Sequence, residues 1–161
     1  MSSRIFLCLS AVATVLFLSG SIRLSSISLE SMEVGGVTVP GKWKASSPTV
    51  QSDKGEYLAY EVVGKSPRVY FTTEKGPHTA WSFIDKKEYK KHSIGTEQWN
   101  GRTRSIAVDE SGFTLRLRAT EGPFKGWYLS RSKEGKLVLT KEANRNTEVM
   151  FQLKRTKSTY K

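Results

Sequence analysis

Ten short segments between residues 41 and 155 alternate apolar and polar side chains with a period of two, and this restricts the chain to a β fold. They are GKWKAS (41–46), EYLAYEVV (56–63), RVYFTTE (68–74), TAWSFID (79–85), YKKHSI (89–94), TRSIAVDE (103–110), FTLRLRA (113–119), GWYLSRS (126–132), KLVLTKE (136–142) and EVMFQLKR (148–155). Successive side chains of a strand point to opposite faces, so each segment carries one apolar stripe, and the Gly, Pro, Ser and Asp residues between them let the chain reverse. Ten such segments, starting 10–15 residues apart, signal an all-β barrel or sandwich. After residue 21 no twelve-residue window keeps a 3.6-residue period, so no long helix is expected. The 161 residues suit one domain, and 37% apolar with 11% aromatic content suffices for a packed core.

The N-terminus is of another character. MSSR supplies one positive charge, and IFLCLSAVATVLFLSG follows as sixteen residues without a charge, ending in the small residues Ser19 and Gly20 with Ser21 next. That layout predicts a secretory signal peptide over 1–21, cleaved near Ser21. A membrane-spanning helix needs about 20 apolar residues, and here Ser10, Thr14 and Ser19 interrupt a run that ends before Arg23. Cleavage would leave 140 residues without Cys8, the single cysteine, and hence no disulfide. No Asn-x-Ser/Thr sequon occurs, so N-glycosylation is not expected. Residues 22–39, with Gly35-Gly36, read as a flexible lead-in; 40–156 read as the β domain and 157–161 as a basic tail.

Two stretches repeat at an offset of 68. VYFTTEKGPHTAWSF from Val69 and LVLTKEANRNTEVMF from Leu137 pair Thr72 with Thr140, Glu74 with Glu142, Thr79 with Thr147 and Phe83 with Phe151. Gly-x-Tyr-Leu precedes each, in GEYLA (55–59) and GWYLS (126–130). A third, degraded copy is expected at 101–117, with Ile106 and Val108 in place of the Tyr-Leu pair and a turn over Asp109–Gly112. Gly-x-Tyr-Leu, a glycine turn, a Leu/Val strand, a polar loop and a late Phe together resemble the repeat of β-trefoil proteins such as the fascins, hisactophilin, the fibroblast growth factors and the interleukin-1 family. The resemblance covers roughly residues 40–156 and implies a β-trefoil-like barrel of about 10–12 short strands. The spacing departs from three equal lobes, because Leu58 to Ile106 is 48 residues and Ile106 to Leu129 only 23. No family site motif is present, so no functional residue carries over. Gly41-x-Trp43 is similar to the Gly-x-Trp of calycins and implies the alternative, an up-and-down barrel around an apolar ligand.

Little in the sequence points to catalysis. The two histidines, His78 and His92, stand fourteen residues apart without carboxylate or Cys partners at metal-ligand spacing, so no metal and no cofactor is expected. There is no Gly-x-Ser-x-Gly nucleophile elbow, and Asp109-Glu110 beside Ser111-Gly112 reads as a turn. The expectation is therefore a protein that is not an enzyme.

Charge is more informative. The chain holds 26 Lys and Arg against 15 Asp and Glu, and only Arg4 would leave with a signal peptide, so the domain itself is strongly basic. Lys86, Lys87, Lys90 and Lys91 cluster within six residues, and Lys154, Arg155, Lys157 and Lys161 crowd the C-terminus. In FTLRLRA, Phe113, Leu115 and Leu117 turn inward while Arg116 and Arg118 share the opposite face about 7 Å apart, a spacing suited to a sulfate, phosphate or carboxylate row. These eight residues, Lys86, Lys87, Lys90, Lys91, Arg116, Arg118, Lys154 and Arg155, are the candidate anion-binding set. Trp99, in a Gln-Trp-Asn-Gly turn, is a candidate for stacking on a sugar, whereas Trp81 and Trp127 follow the inward alternation. The expectation is a secreted binding protein for an anionic extracellular partner (a sulfated glycan, acidic lipid head groups, an acidic protein or matrix), with no nucleic acid as partner and no stable membrane insertion after signal cleavage. The alternatives are a calycin-like carrier, or a trefoil inhibitor or cytokine-like protein acting through loops 46–55 or 93–104.

Overall fold

The structure, a computed structural model, describes residues 27–159; the signal-peptide and cysteine expectations, Tyr160 and Lys161 fall outside the described residues. Twelve antiparallel strands make an all-β, barrel-like fold: β1 (Ile27–Leu29), β2 (Ser31–Val34), β3 (Val37–Val39), β4 (Trp43–Ser46), β5 (Thr49–Ser52), β6 (Tyr57–Val63), β7 (Ser66–Thr72), β8 (Trp81–Trp99), β9 (Arg102–Ala119), β10 (Tyr128–Arg131), β11 (Leu137–Thr140) and β12 (Val149–Thr159). One curled sheet has the order β1-β4-β5-β6-β7, and the other runs β11-β10-β9-β12-β2-β3 with β8 on the free side of β9.

Three connected units lie within this order. Each has an outer pair of strands flanking a hairpin: β1 and β4 flank β2–β3, β5 and β8 flank β6–β7, and β9 and β12 flank β10–β11. Backbone hydrogen bonds from Trp81 to the Pro48 carbonyl (2.8 Å) and from Glu30 to the Gln152 carbonyl (2.8 Å) join the two sheets, one at each seam. Among the outer strands β1 pairs with β4, β4 with β5, β8 with β9 and β9 with β12, while the step from β4–β5 to β8 and the step from β12 to the end of β1 are bridged by those single hydrogen bonds. A meander would pair only sequential strands, so the pairing of β1 with β4 and of β9 with β12 excludes the up-and-down alternative.

The 68-residue repeat is visible in the hydrogen bonds. Thr79 and Thr147 each end a 3-10 turn, Pro77–Thr79 and Arg145–Thr147, and both are buried. The Thr79 hydroxyl donates to the Gly76 carbonyl (2.8 Å) and accepts from the Gly76 amide (3.1 Å). Thr147 does the same with Asn144 at 2.7 and 3.0 Å. Leu58 and Leu129 of the Gly-x-Tyr-Leu segments are both fully buried, and Phe83 meets Phe151 edge-on at 6.1 Å between centroids. With Met32, Val34, Val50, Trp81, Leu117 and Val149 they fill the interior, so the central space of a carrier barrel is taken up by side chains. Each fully buried aliphatic side chain of this kind contributes about 1.5–3 kcal/mol.

Several sequence expectations are corrected. Residues 27–39 are not a lead-in: they form β1 to β3 and bury Leu29, Met32 and Val34, because Gly35 and Gly36, at φ 58° and 84°, close a hairpin. The third related unit is therefore this N-terminal one, and residues 101–117 are a single strand. Trp43, Trp81 and Val149 open β4, β8 and β12, and all three are buried. Trp43 to Trp81 is 38 residues and Trp81 to Val149 is 68, and the excess is one long hairpin. TAWSFID and YKKHSI join into β8, and TRSIAVDE and FTLRLRA join into β9, so Asp109–Gly112 is mid-strand. Loops 46–55 and 93–104 hold β5 and the tip of that hairpin. Lys157, Ser158 and Thr159 of the expected tail extend β12, opposite Val108, Ala107 and Ile106.

Candidate functional site

The hairpin of β8 and β9 beyond residue 86, joined by β12 from Lys154 onward, makes a three-stranded arm on the barrel. Asn100 and Gly101, at φ 51° and 74°, form the two-residue turn that places Trp99 opposite Arg102. A primed turn of this kind needs positive φ at both positions, which Asn-Gly supplies at low cost. From Lys87 to Trp99, thirteen residues at about 3.3 Å each give an arm on the order of 40 Å long. Nearly all of β8 in the arm is exposed, whereas Ile106, Ala107 and Val108 of the central strand are buried.

Register assigns the side chains to faces. Lys90, Ser111 and Lys154 stand side by side across the three strands, as do His92, Asp109 and Thr156 one pair further out. These six, with Lys91 and Glu110 of the intervening row at its edge, line a depression of about 400 Å³. His92 Nδ1 donates to Asp109 Oδ1 across 2.5 Å, with both side chains about three-fifths exposed. The opposite face carries Lys87, Tyr89, Lys91 and Lys157, together with the Arg155–Glu110 ion pair at 3.4 Å.

At the arm's root the constraint is steric. Tyr89 faces Gly112, and a Cβ on Gly112 would overlap the Phe151 carbonyl oxygen and stand 2.8 Å from the Tyr89 ring. The Tyr89 hydroxyl is buried and, among the described residues, has no hydrogen-bond partner. Burial, then the carboxylates of Glu110 and Glu33, push its pKa above the ordinary 10.0.

The eight predicted cations do not behave alike. Lys90 and Lys154 share the depression, and Lys91 stands on the other face with Arg155. Lys86 lies in a bulge between Ile84 and Lys87, where its ammonium sits 4.2 Å from the Phe113 ring centroid. Lys86, Lys87 and Arg116 line a second, smaller hollow of about 230 Å³. Arg116, however, is engaged within the protein, donating to the Thr147 hydroxyl (2.9 Å) and to Asp85 (3.1 Å). Arg116 thus ties the repeat's buried threonine to the root of the arm, and a row with Arg118, itself half-buried opposite Ser82, is not formed by two free guanidiniums. Among the described residues, Lys87, Lys90, Lys91 and Lys154 enter no ion pair.

Trp99 is 54% exposed just before the turn, and the Arg104 guanidinium lies 4.8 Å from its ring centroid, held by Glu97 at 3.3 Å. One face of that ring is therefore occupied. Sequence reading passed over Asp109, Ser111 and Thr156, whose period-two match to Lys90 and His92 becomes meaningful only once β9 is known to lie between β8 and β12. Among the described residues no group of three or more His, Cys, Asp or Glu is placed to hold a metal. No family model, curated protein or solved structure matches the chain.

Proposed function

We propose that the protein is an exported, non-enzymatic binding protein, β-trefoil-like in its barrel, whose basic arm engages an anionic extracellular partner, foremost a sulfated glycan. The observation that carries this reading is the set of arm lysines without carboxylate partners, Lys87, Lys90, Lys91 and Lys154, on an exposed three-stranded sheet. An unneutralised set of cations of this kind, spread over both faces of the arm, raises the local concentration of a polyanion and captures it through many weak contacts. Three further observations support the reading. The threefold use of an outer strand pair around a hairpin favours the trefoil connectivity over a meander. The filled interior leaves binding to the surface. The charge-free run from Ile5 to Gly20 favours export.

Contacts between exposed charges weaken as salt shortens the Debye length, which is about 8 Å at 0.15 M. The protein should accordingly be retained on immobilised heparin and elute above about 0.15 M salt. Reversal of Lys86, Lys87, Lys90 and Lys91 to Glu should bring elution below that point. Elution of the unaltered protein below physiological salt, or an unchanged profile for the reversed variant, would overturn the glycan reading.

A further inference from the structure

The arm's two faces are not equivalent, and one of them is organised around a single point. Lys90 on β8 and Lys154 on β12 flank Ser111 on β9 in the same row, so their Cα atoms are two strand spacings apart, roughly 9.6 Å. That separation lets two flexible lysine side chains lean together over the central hydroxyl and bring both ammoniums to one small anion. The Thr156 hydroxyl lies in the next face-sharing row, across Asp109 from His92, which holds the Asp109 carboxylate. The result is a depression with two cations that enter no ion pair among the described residues, the hydroxyls of Ser111 and Thr156, and the His92-held Asp109 carboxylate in the row beyond Ser111, with Lys91 and Glu110 at its edge.

We infer that this depression, bounded by Lys90, Ser111 and Lys154, is a subsite for one sulfo group of the glycan chain. The inference rests on the polyanion reading above and assigns it a place. The sulfo group is the anion that the polyanion reading supplies, and its three terminal oxygens can accept from both ammoniums and from the hydroxyls at once. A carboxylate would reach one ammonium readily, but its two oxygens satisfy fewer of the donors than the three terminal oxygens of a sulfo group.

The test is a titration of the isotopically labelled protein with methyl sulfate and, separately, methyl phosphate, followed through backbone amide shifts. It is run on the unaltered protein, on Lys90→Gln/Lys154→Gln, and on Lys65→Gln/Lys133→Gln, whose lysines are exposed in hairpin turns of the barrel. Methyl sulfate should move the Ser111 and Thr156 amides in a saturable manner, with at least fivefold loss of affinity in the arm variant and no change in the turn variant. Heparin elution should also fall further for the arm variant, although both variants lose the same charge. Equal effects of the two variants, tighter binding of methyl phosphate, or shifts scattered over lysines throughout the chain would overturn the subsite. If heparin is retained but these results fail, the subsite is wrong and the broader reading stands. If methyl sulfate binds as described but heparin is not retained, the depression takes a lone sulfate ester, and both the glycan reading and its subsite are overturned.

Discussion

Gly112 is the position at which sequence, packing and the arm's geometry meet, and replacing it with alanine tests all three. Its backbone is ordinary extended chain, so the objection to a side chain is not conformational but spatial. The added carbon would overlap the carbonyl oxygen of Phe151 and stand 2.8 Å from the Tyr89 ring. A ring can swing away; a carbonyl in the β9–β12 ladder moves only if the ladder moves. Overpacking of this kind costs about 1–3 kcal/mol, and here the upper end applies because a backbone atom is the obstacle. Urea unfolding at constant slope should therefore give a loss near 3 kcal/mol. For comparison, Gly101→Ala meets nothing within 4 Å, but its φ of 74° penalises a side chain by about 1–2 kcal/mol. The two glycines are thus required for different reasons, and they should separate in a double variant. Tyr89→Ala, which removes the ring, should not rescue Gly112→Ala. A loss under 1 kcal/mol, or full rescue by Tyr89→Ala, would show that β12 does not press on β9 as described and that the arm's root is looser than the register implies.

Two other substitutions probe hydroxyls with opposite circumstances. The Tyr60 hydroxyl donates to the Ala80 carbonyl (2.9 Å) and accepts from the Thr120 and Glu121 amides (3.0 and 3.1 Å), while Ala80 retains a second donor in the Thr120 hydroxyl. Tyr60→Phe therefore strands two amides, of which the exposed Glu121 amide can turn to water; a loss of about 2 kcal/mol is expected in denaturant unfolding, and a loss below 0.5 kcal/mol refutes this seam between the second and third units. Tyr89→Phe removes a buried hydroxyl that has no partner among the described residues, so stability should be unchanged or raised by up to about 1 kcal/mol, and a clear loss would reveal a hidden bond. Because the folded protein holds the Tyr89 proton above the ordinary value of 10.0, its contribution is complete below pH 10 and is lost as pH rises through the folded value; alkaline unfolding of the unaltered protein should be steeper than that of Tyr89→Phe.

How much of this could be read from the residues depends on the range over which each signal acts. The offset of 68 carried real structure, since Thr79 and Thr147 make the same pair of hydrogen bonds in the same 3-10 turn. The inward alternation of Leu115 and Leu117 also holds, and both are buried. The first unit was missed because ISLESMEVGGVTV is rich in serine and has a double glycine, a local signature of loop. Met32 and Val34 are placed in the core by pairing with Phe151 and Val149, more than a hundred residues away. Asp109–Gly112 was misread for the opposite reason. Its composition is that of a turn, and it lies in a strand because β8 and β12 supply partners on both edges. The candidate site suffered from the same limit: Lys90 and Lys154 are 64 positions apart in the chain, and only the insertion of β9 between their strands makes them neighbours.

The unequal spacing of the repeats then has a physical reading. An extra length of chain can enter a sheet without disturbing its strand order only where two adjacent strands already run antiparallel and end together, because both can then grow outward in register. The β8–β9 connection has that geometry, and β12 lies alongside, so the insertion acquired a third strand instead of remaining a two-stranded ribbon. A lone ribbon is marginal in water, whereas three strands with a buried central row, here Ile106, Ala107 and Val108, hold their shape. The added sheet contributes exposed lysines where the barrel contributes core, and it divides the molecule accordingly: Leu58, Leu117 and Leu129 set stability, while the arm can change its charges at small cost to folding. Arg116 joins the two parts, one branch on the buried Thr147 of the repeat and the other on Asp85 at the arm's root, so the direction of the arm is fixed by the barrel it leaves.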